Sequence, residues 1–218
     1  LTRVLLFWIN MREPSMNKSQ LACTAFLGSQ QVATGSYVEV ALAVRSLSKR
    51  RPHAAVLIFD DESGRQIDFD LRGSEADVTE RLTRSDHGDL DRHNSAKARQ
   101  PGRPKLGVVA REVTLLPRHW DWLTSQPGGA SAALRRLVEA ARGANADADM
   151  ARRSQEAADR FMMAMAGNLP HYEEAARALY AGARERFWKT TQAWPADVAA
   201  HARRLAAGAF SKRNAVRA

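Results

Sequence analysis

Three features of the sequence predict an α+β fold. Short β-type runs punctuated by turn residues are confined to the first third of the chain. Alanine-rich segments with helical spacing fill the last third, and one more strand-like run stands alone between them. In order, this reads as a leader at 1–20, a small ββαββ domain at 21–84 and a basic linker and arm at 85–105. A strand-helix-helix unit at 106–143, a helical domain at 144–210 and a basic tail at 211–218 complete the chain. A chain of 218 residues is long enough for one large or two small cores.

Near the start the longest apolar run is Val4-Leu5-Leu6-Phe7-Trp8-Ile9, too short to span a bilayer or to serve as the core of a signal peptide. No membrane partner is expected. The segment up to Ser15 reads as a disordered or mis-assigned leader, with Met16 a candidate start. The single cysteine, Cys23, leaves no internal disulfide or multi-cysteine zinc site, and together these features point to the cytoplasm.

From Thr24 to Leu71 the signals are compact. Ala25-Phe26-Leu27 and Gln31-Val32-Ala33 flank Gly28-Ser29 as a hairpin. Gly35-Ser36 precedes a helix whose Val40, Ala43, Val44 and Leu47 make one apolar face, closing at Lys49-Arg50-Arg51-Pro52. A second hairpin joins Ala55–Phe59 to Gln66–Leu71 around Asp61-Glu62-Ser63-Gly64. The first of its strands, continuously apolar, should be central and the alternating one nearer an edge. Acids gather here, at Asp60, Asp61, Glu62, Asp68 and Asp70. Charged turns and edge strands favour solubility, so no metal site is assigned. From Ser85 to Gln100, including His87 and His93, apolar periodicity is missing and a flexible linker is expected.

The central stretch, 99–142, organises the functional reading. Arg99, Gly102-Arg103-Pro104 and Lys105, with Pro101 just before them, cannot readily join a helix or a central strand, so an extended basic ribbon is expected. Leu106–Leu116 alternates Val109, Val113 and Leu115 with Ala110, Glu112 and Thr114, a strand pattern. Pro117 opens a helix through Leu123, and Gln126-Pro127-Gly128-Gly129 stops it. Ser131 is expected to cap a second helix carrying Leu134, Leu137, Val138 and Ala141 on one face, and Arg135, Arg136 and Glu139 on the other. One strand and two short helices bury too little to stand alone, so the strand should pair with a second copy or with the amino-terminal sheet.

The Gly-Arg-Pro core with its basic neighbours resembles an AT-hook, and the strand-helix-helix order resembles a ribbon-helix-helix domain. The second resemblance implies a homodimer whose antiparallel ribbon enters the major groove of DNA and whose second helix holds a phosphate at its amino terminus. Carried onto this chain, the DNA-binding residues are Arg99, Gly102, Arg103, Pro104, Lys105, Arg111, Thr114 and Ser131. Arg111 and Val113 face the groove in one register, Glu112 and Thr114 in the other. Glu112 departs from the basic outer face usual in such ribbons and repels phosphate, though it can accept from a cytosine amino group.

The net charge of +9 favours an anionic partner. Between Asn94 and Arg118, Lys97, Arg99, Arg103, Lys105, Arg111 and Arg118 face the single acid Glu112. Beyond Gly143, Ala157, Phe161 and Met165 step by four. Further helices are expected after Leu169-Pro170, with Tyr172, Ala176, Leu179, Ala183 and Phe187 in line, and after Trp194-Pro195, with Val198, Ala202 and Leu205.

GRPKLGVVAREVTLLPRHWDWL, PGGASAALRRLVEAAR and FMMAMAGNLPHYEEAARALYAG together resemble a bacterial family known only as a domain of unknown function, from about Phe26 to about Leu205. That resemblance implies no activity. No phosphate-cradling glycine loop, nucleophile elbow or helical histidine pair with a glutamate is present, so neither catalysis nor a cofactor is expected. Two readings remain: a DNA-binding transcriptional regulator, and a protein-interaction or ligand-sensing protein that does not bind DNA.

Overall fold

The computed structural model describes residues 22–91 and 111–210, with side chains over 22–83 and 111–210. Over these described residues the fold is mixed α and β: a four-stranded antiparallel sheet and seven α-helices.

Strand β1 (Ala22–Leu27) turns tightly through Gly28 and Ser29 into β2 (Gln30–Ser36). Gly28 takes a positive φ of 57° with nothing near its missing side chain, so the turn is the reason for a glycine there. Helix α1 (Tyr37–Arg50) begins with a reciprocal cap. Ser36 accepts from the Glu39 amide while the Glu39 carboxylate accepts from the Ser36 amide, and these bonds hold the Glu39 carboxyl below the usual range. Strand β3 (Val56–Asp60) follows, then β4 (Gln66–Ile67), giving the order β2-β1-β3-β4.

β1 is central, and its alternation explains the layering. Cys23 and Ala25 point with Ile58 to one face, where Val40 and Val44 of α1 cover them. Phe26 points with Phe59 to the other, where a second cluster begins. That cluster runs into α4 (Gly129–Ala166) through Ala158, Phe161 and Met162, and into α5 (Tyr172–Tyr180) through Ala175, Ala178 and Leu179. Phe187 of α6 (Arg184–Thr190) and Val198, Ala199, Ala202 and Leu205 of α7 (Ala196–Leu205) complete it. The sheet is thus covered by α1 on one side and by α4 and α7 on the other, and residues from 26 to 209 share one core. Small alanines let these helices approach closely.

Several expectations need correction. The apolar stripe of α1 is Val40, Ala41 and Val44, whereas Ala43 is exposed. β4 has two residues instead of six, because Phe69 and Leu71 pack against the α1 side without ladder bonds. Helix α2 (Glu75–Asp91) extends past Ser85, where a linker was expected. The single helix expected after Pro170 is broken at Gly182, whose φ of 65° ends α5 before α6 starts. Of the methionines on α4, Met162 is buried and Met163 projects outward.

The expected strand Leu106–Leu116 is the largest departure. Its described part, 111–116, is neither helix nor strand and does not join the sheet. Among the described residues it pairs with neither edge strand of the sheet, and Val113 and Leu116 stay more than half exposed. The helices that follow do form, as α3 (Pro117–Ser125) and α4. Ser131 does not cap α4: Gly128, in the left-handed region at φ 84°, caps the helix three residues earlier, which leaves Ser131 inside the first turn. Nor does the second helix close at Gly143. It continues to Ala166, 38 residues in all and about 57 Å long.

Candidate nucleic-acid interface

Helices α3 and α4 form a hairpin. Pro117 sits at the start of α3, where its missing amide costs nothing, and Gln126-Pro127 with the positive-φ pair Gly128-Gly129 makes the turn. The Gly129 amide donates to the Gln126 carbonyl at 2.9 Å, and Arg136 donates to the Pro127 carbonyl at 3.0 Å, tying the turn to α4. The seam between the two helices is thin: Leu123 and Ala133 are its buried residues.

Beyond that seam, every residue from Arg135 to Ala146 is exposed, and burial resumes at Ala151. The amino-terminal half of α4 therefore projects from the body as a solvated stalk with α3 folded against its tip. Along this projection Val113, Leu116, Trp120, Trp122, Leu137 and Val138 are exposed by between 38% and 54%. Scattered exposed apolar residues are ordinary, but six on one short hairpin, two of them tryptophans, are not.

Of the sequence-predicted DNA-binding residues, Arg111 and Thr114 lie exposed in the extended segment leading into α3. Ser131 is exposed on the first turn of α4, with its carbonyl accepting from Arg135 at 3.1 Å. Arg99, Gly102, Arg103, Pro104 and Lys105 lie outside the described residues, as does the first half of the expected strand. The structure therefore brings Arg111 and Thr114 onto one lead-in to the hairpin and puts Ser131 on the helix that follows.

A second cluster, unforeseen in the sequence, lies where the sheet meets the helical core. Asp61, just after β3, accepts from Thr24 at 2.9 Å and from Arg204 of α7 at 3.1 Å. Arg204 also donates to Thr24 and to His201 Nδ1, both at 2.8 Å. A guanidinium can only donate, so Nδ1 accepts and the imidazole proton sits on Nε2. That atom is buried, stands 3.7 Å from Asp61 and has no hydrogen-bond partner. The ring is enclosed by Phe26 and Phe161, at centroid distances of 5.3 and 4.4 Å. Burial, reinforced by the Arg204 charge, pushes the His201 pKa down to about 3 and keeps the ring neutral at pH 7. Burial also raises the Asp61 pKa, against the Arg204 charge and the Thr24 bond, and pushes the neighbouring Cys23 thiol up to about 12, away from reactivity. Only the i, i+3 spacing of His201 and Arg204 on one alanine-rich helix face could have signalled this cluster.

Asp60 and Asp70, two of the acids gathered around the second hairpin, have protein partners. Asp60 accepts from the Tyr37 hydroxyl at 2.8 Å and the Ser63 amide at 2.7 Å. Asp70 is bridged by Arg72, whose hydrogen bonds hold its carboxyl well below the usual range. Among the described residues no group of three or more potential ligands is placed to hold a metal, and no helix is long and apolar enough to cross a membrane.

No curated protein and no solved structure matches the chain. One family model does match, over residues 22–206, a span that takes in the sheet, the projecting hairpin and the helical core. The chain accordingly belongs to the bacterial family described as "uncharacterized protein conserved in bacteria (DUF2239)".

Proposed function

We propose that this protein is a DNA-binding regulator that acts as a homodimer, with the unit at 106–143 as the shared DNA-reading element. The supporting observation is the apolar surface of the projection. Among the described residues Val113, Leu116, Trp120, Trp122, Leu137 and Val138 stay between 38% and 54% exposed, which is the condition of a strand-helix-helix unit whose core is completed by a second copy. Pairing two lead-in segments gives 111–116 a ladder partner that it does not have among the described residues, converting it from an extended segment into a ribbon. In that arrangement Arg111 or Thr114, depending on register, faces the major groove. The amides of the first turn of α4, near Ser131, meet a phosphate, and the arm carrying Arg99, Gly102, Arg103, Pro104 and Lys105 follows the minor groove. The net charge of +9 favours the encounter.

Sedimentation equilibrium and gel retardation test this reading together. The expected protein is a dimer that retards duplex DNA, with a log-log salt slope of about −4 to −5 if some five phosphates are neutralised. Leu137→Asp, at an exposed site, should give a folded monomer that no longer retards DNA. Arg103→Ala with Arg111→Ala should stay dimeric and lose affinity. A wild-type monomer, or undiminished retardation by the double variant, overturns the proposal. A dimer without affinity for DNA favours the protein-interaction reading instead.

A further inference from the structure

We infer a second, independent site: a small-molecule pocket between the sheet and α4 that takes an organic monoanion with an apolar or aromatic body. The cavity has a volume of about 460 Å³, within the range of small-ligand sites. One wall carries Tyr37 at the start of α1 with Arg65 and Ile67 at β4, and the α4 wall carries Arg153 and Arg160.

Sorting the polar groups by what already engages them separates framework from recognition. Arg160 is committed: it donates to the Ser63 carbonyl at 2.8 Å and to Glu156 at 2.9 Å, tying the β3–β4 turn to α4. Asp60 is likewise occupied by Tyr37 and by Ser63. Neither can take a ligand without breaking the walls.

Arg65 and Arg153 differ. Among the described residues neither guanidinium makes a hydrogen bond or an ion pair, although they stand on opposite walls of one cavity. Two guanidinium groups with unused donors on one cavity supply the positive charge and the donors that a carboxylate or a phosphate monoester takes, and a guanidinium can grip either in bidentate fashion. Glu62 also lines the cavity with a carboxylate that no described group engages, and it disfavours a polyanion. The Ile67 side chain, the Tyr37 ring and the aliphatic stems of the arginines supply the surface for an apolar body. A small aromatic carboxylate meets each of these conditions.

The inference rests on no part of the DNA-binding reading, and loss of DNA retardation would leave it standing. Calorimetric titration of the full chain with benzoate and phenylacetate tests it, with benzamide as the neutral isostere and inorganic phosphate as the head-group control. Saturable millimolar or tighter binding of at least one carboxylate is expected, with benzamide and phosphate each at least about tenfold weaker. Arg65→Gln and Arg153→Gln should each weaken binding about tenfold and together abolish it. Because both residues are exposed, all variants should melt like the wild type. Equal affinity for benzamide, unchanged binding by the double variant, or no uptake of either carboxylate overturns the inference.

Discussion

Replacing Gly64 with alanine probes the junction on which the whole architecture depends. Gly64 lies in the turn between β3 and β4, held by its amide donating to the Asp60 carbonyl at 2.9 Å, with φ at +66°. A Cβ added there would stand 1.9 Å from the Ala157 carbonyl oxygen and 2.6 Å from its carbon, both backbone atoms of α4. Two costs follow. The left-handed conformation costs a non-glycine residue about 1–2 kcal/mol, and overpacking against a rigid backbone costs about 1–3 kcal/mol more. The sum, about 2–5 kcal/mol, is a large part of the about 5–15 kcal/mol that holds a typical domain together. Gly28→Ala is the matched control: its φ of +57° is comparable, but nothing lies within 4 Å of the added carbon, so only the conformational cost applies. Urea denaturation followed by circular dichroism should show Gly64→Ala lowering the midpoint well beyond Gly28→Ala, with unchanged slope in both. Equal destabilisation by the two substitutions would refute the close approach of turn and helix.

Three further outcomes are expected. His201 has a folded pKa of about 3, below its unfolded value near 6.5, so the unfolded chain takes up its proton first as pH falls. Its stabilising effect should be complete above about pH 6.5 and fall by about 1.4 kcal/mol per unit between there and pH 3. His201→Phe, which keeps a ring between Phe26 and Phe161, should flatten that acid limb in denaturant titrations at stepped pH; an unaltered limb would show that other groups cause it. Ser36→Ala removes one half of the cap on α1 and should cost about 1 kcal/mol, read as a lower urea midpoint, whereas Ser131→Ala, inside a helix turn, should be near neutral. Gly143→Ala, in the solvated stretch of α4, should stabilise the helix by up to about 1 kcal/mol and slow amide exchange from 135 to 146; unchanged exchange there would show that the stretch is not helical in solution.

The sequence reading succeeded where local chemistry determines local structure. Gly28-Ser29 between β-type runs, Gly35-Ser36 ahead of a helically spaced apolar run, and Pro117 ahead of an amphipathic run each specify a turn or a helix start through neighbours a few residues away. It failed where two local signals compete. Ser131 is a good cap, yet a positive-φ glycine at 128 begins α4 before the serine is reached. Gly143 is a poor helix residue, but the alanines and long side chains around it carry the helix through. At the candidate interface the exposed tryptophans have the residue types of a core. Only the structure shows that they stay exposed among the described residues.

The continuously apolar run Ala55–Phe59 determined by itself an inner strand, because side chains in a strand alternate and an unbroken apolar run needs cover on both faces: β3 lies between β1 and β4, with Ile58 in one cluster and Phe59 in the other. Which element covers each face was decided by tertiary structure. Phe26 meets Phe161 of α4 and His201 of α7, residues 135 and 175 positions away, and the sequence carries no periodicity that links segments at such separations. The buried Thr24–Asp61–His201–Arg204 cluster and the cavity beside Arg65 and Arg153 exist only because that packing closes, since each assembles groups far apart in the chain.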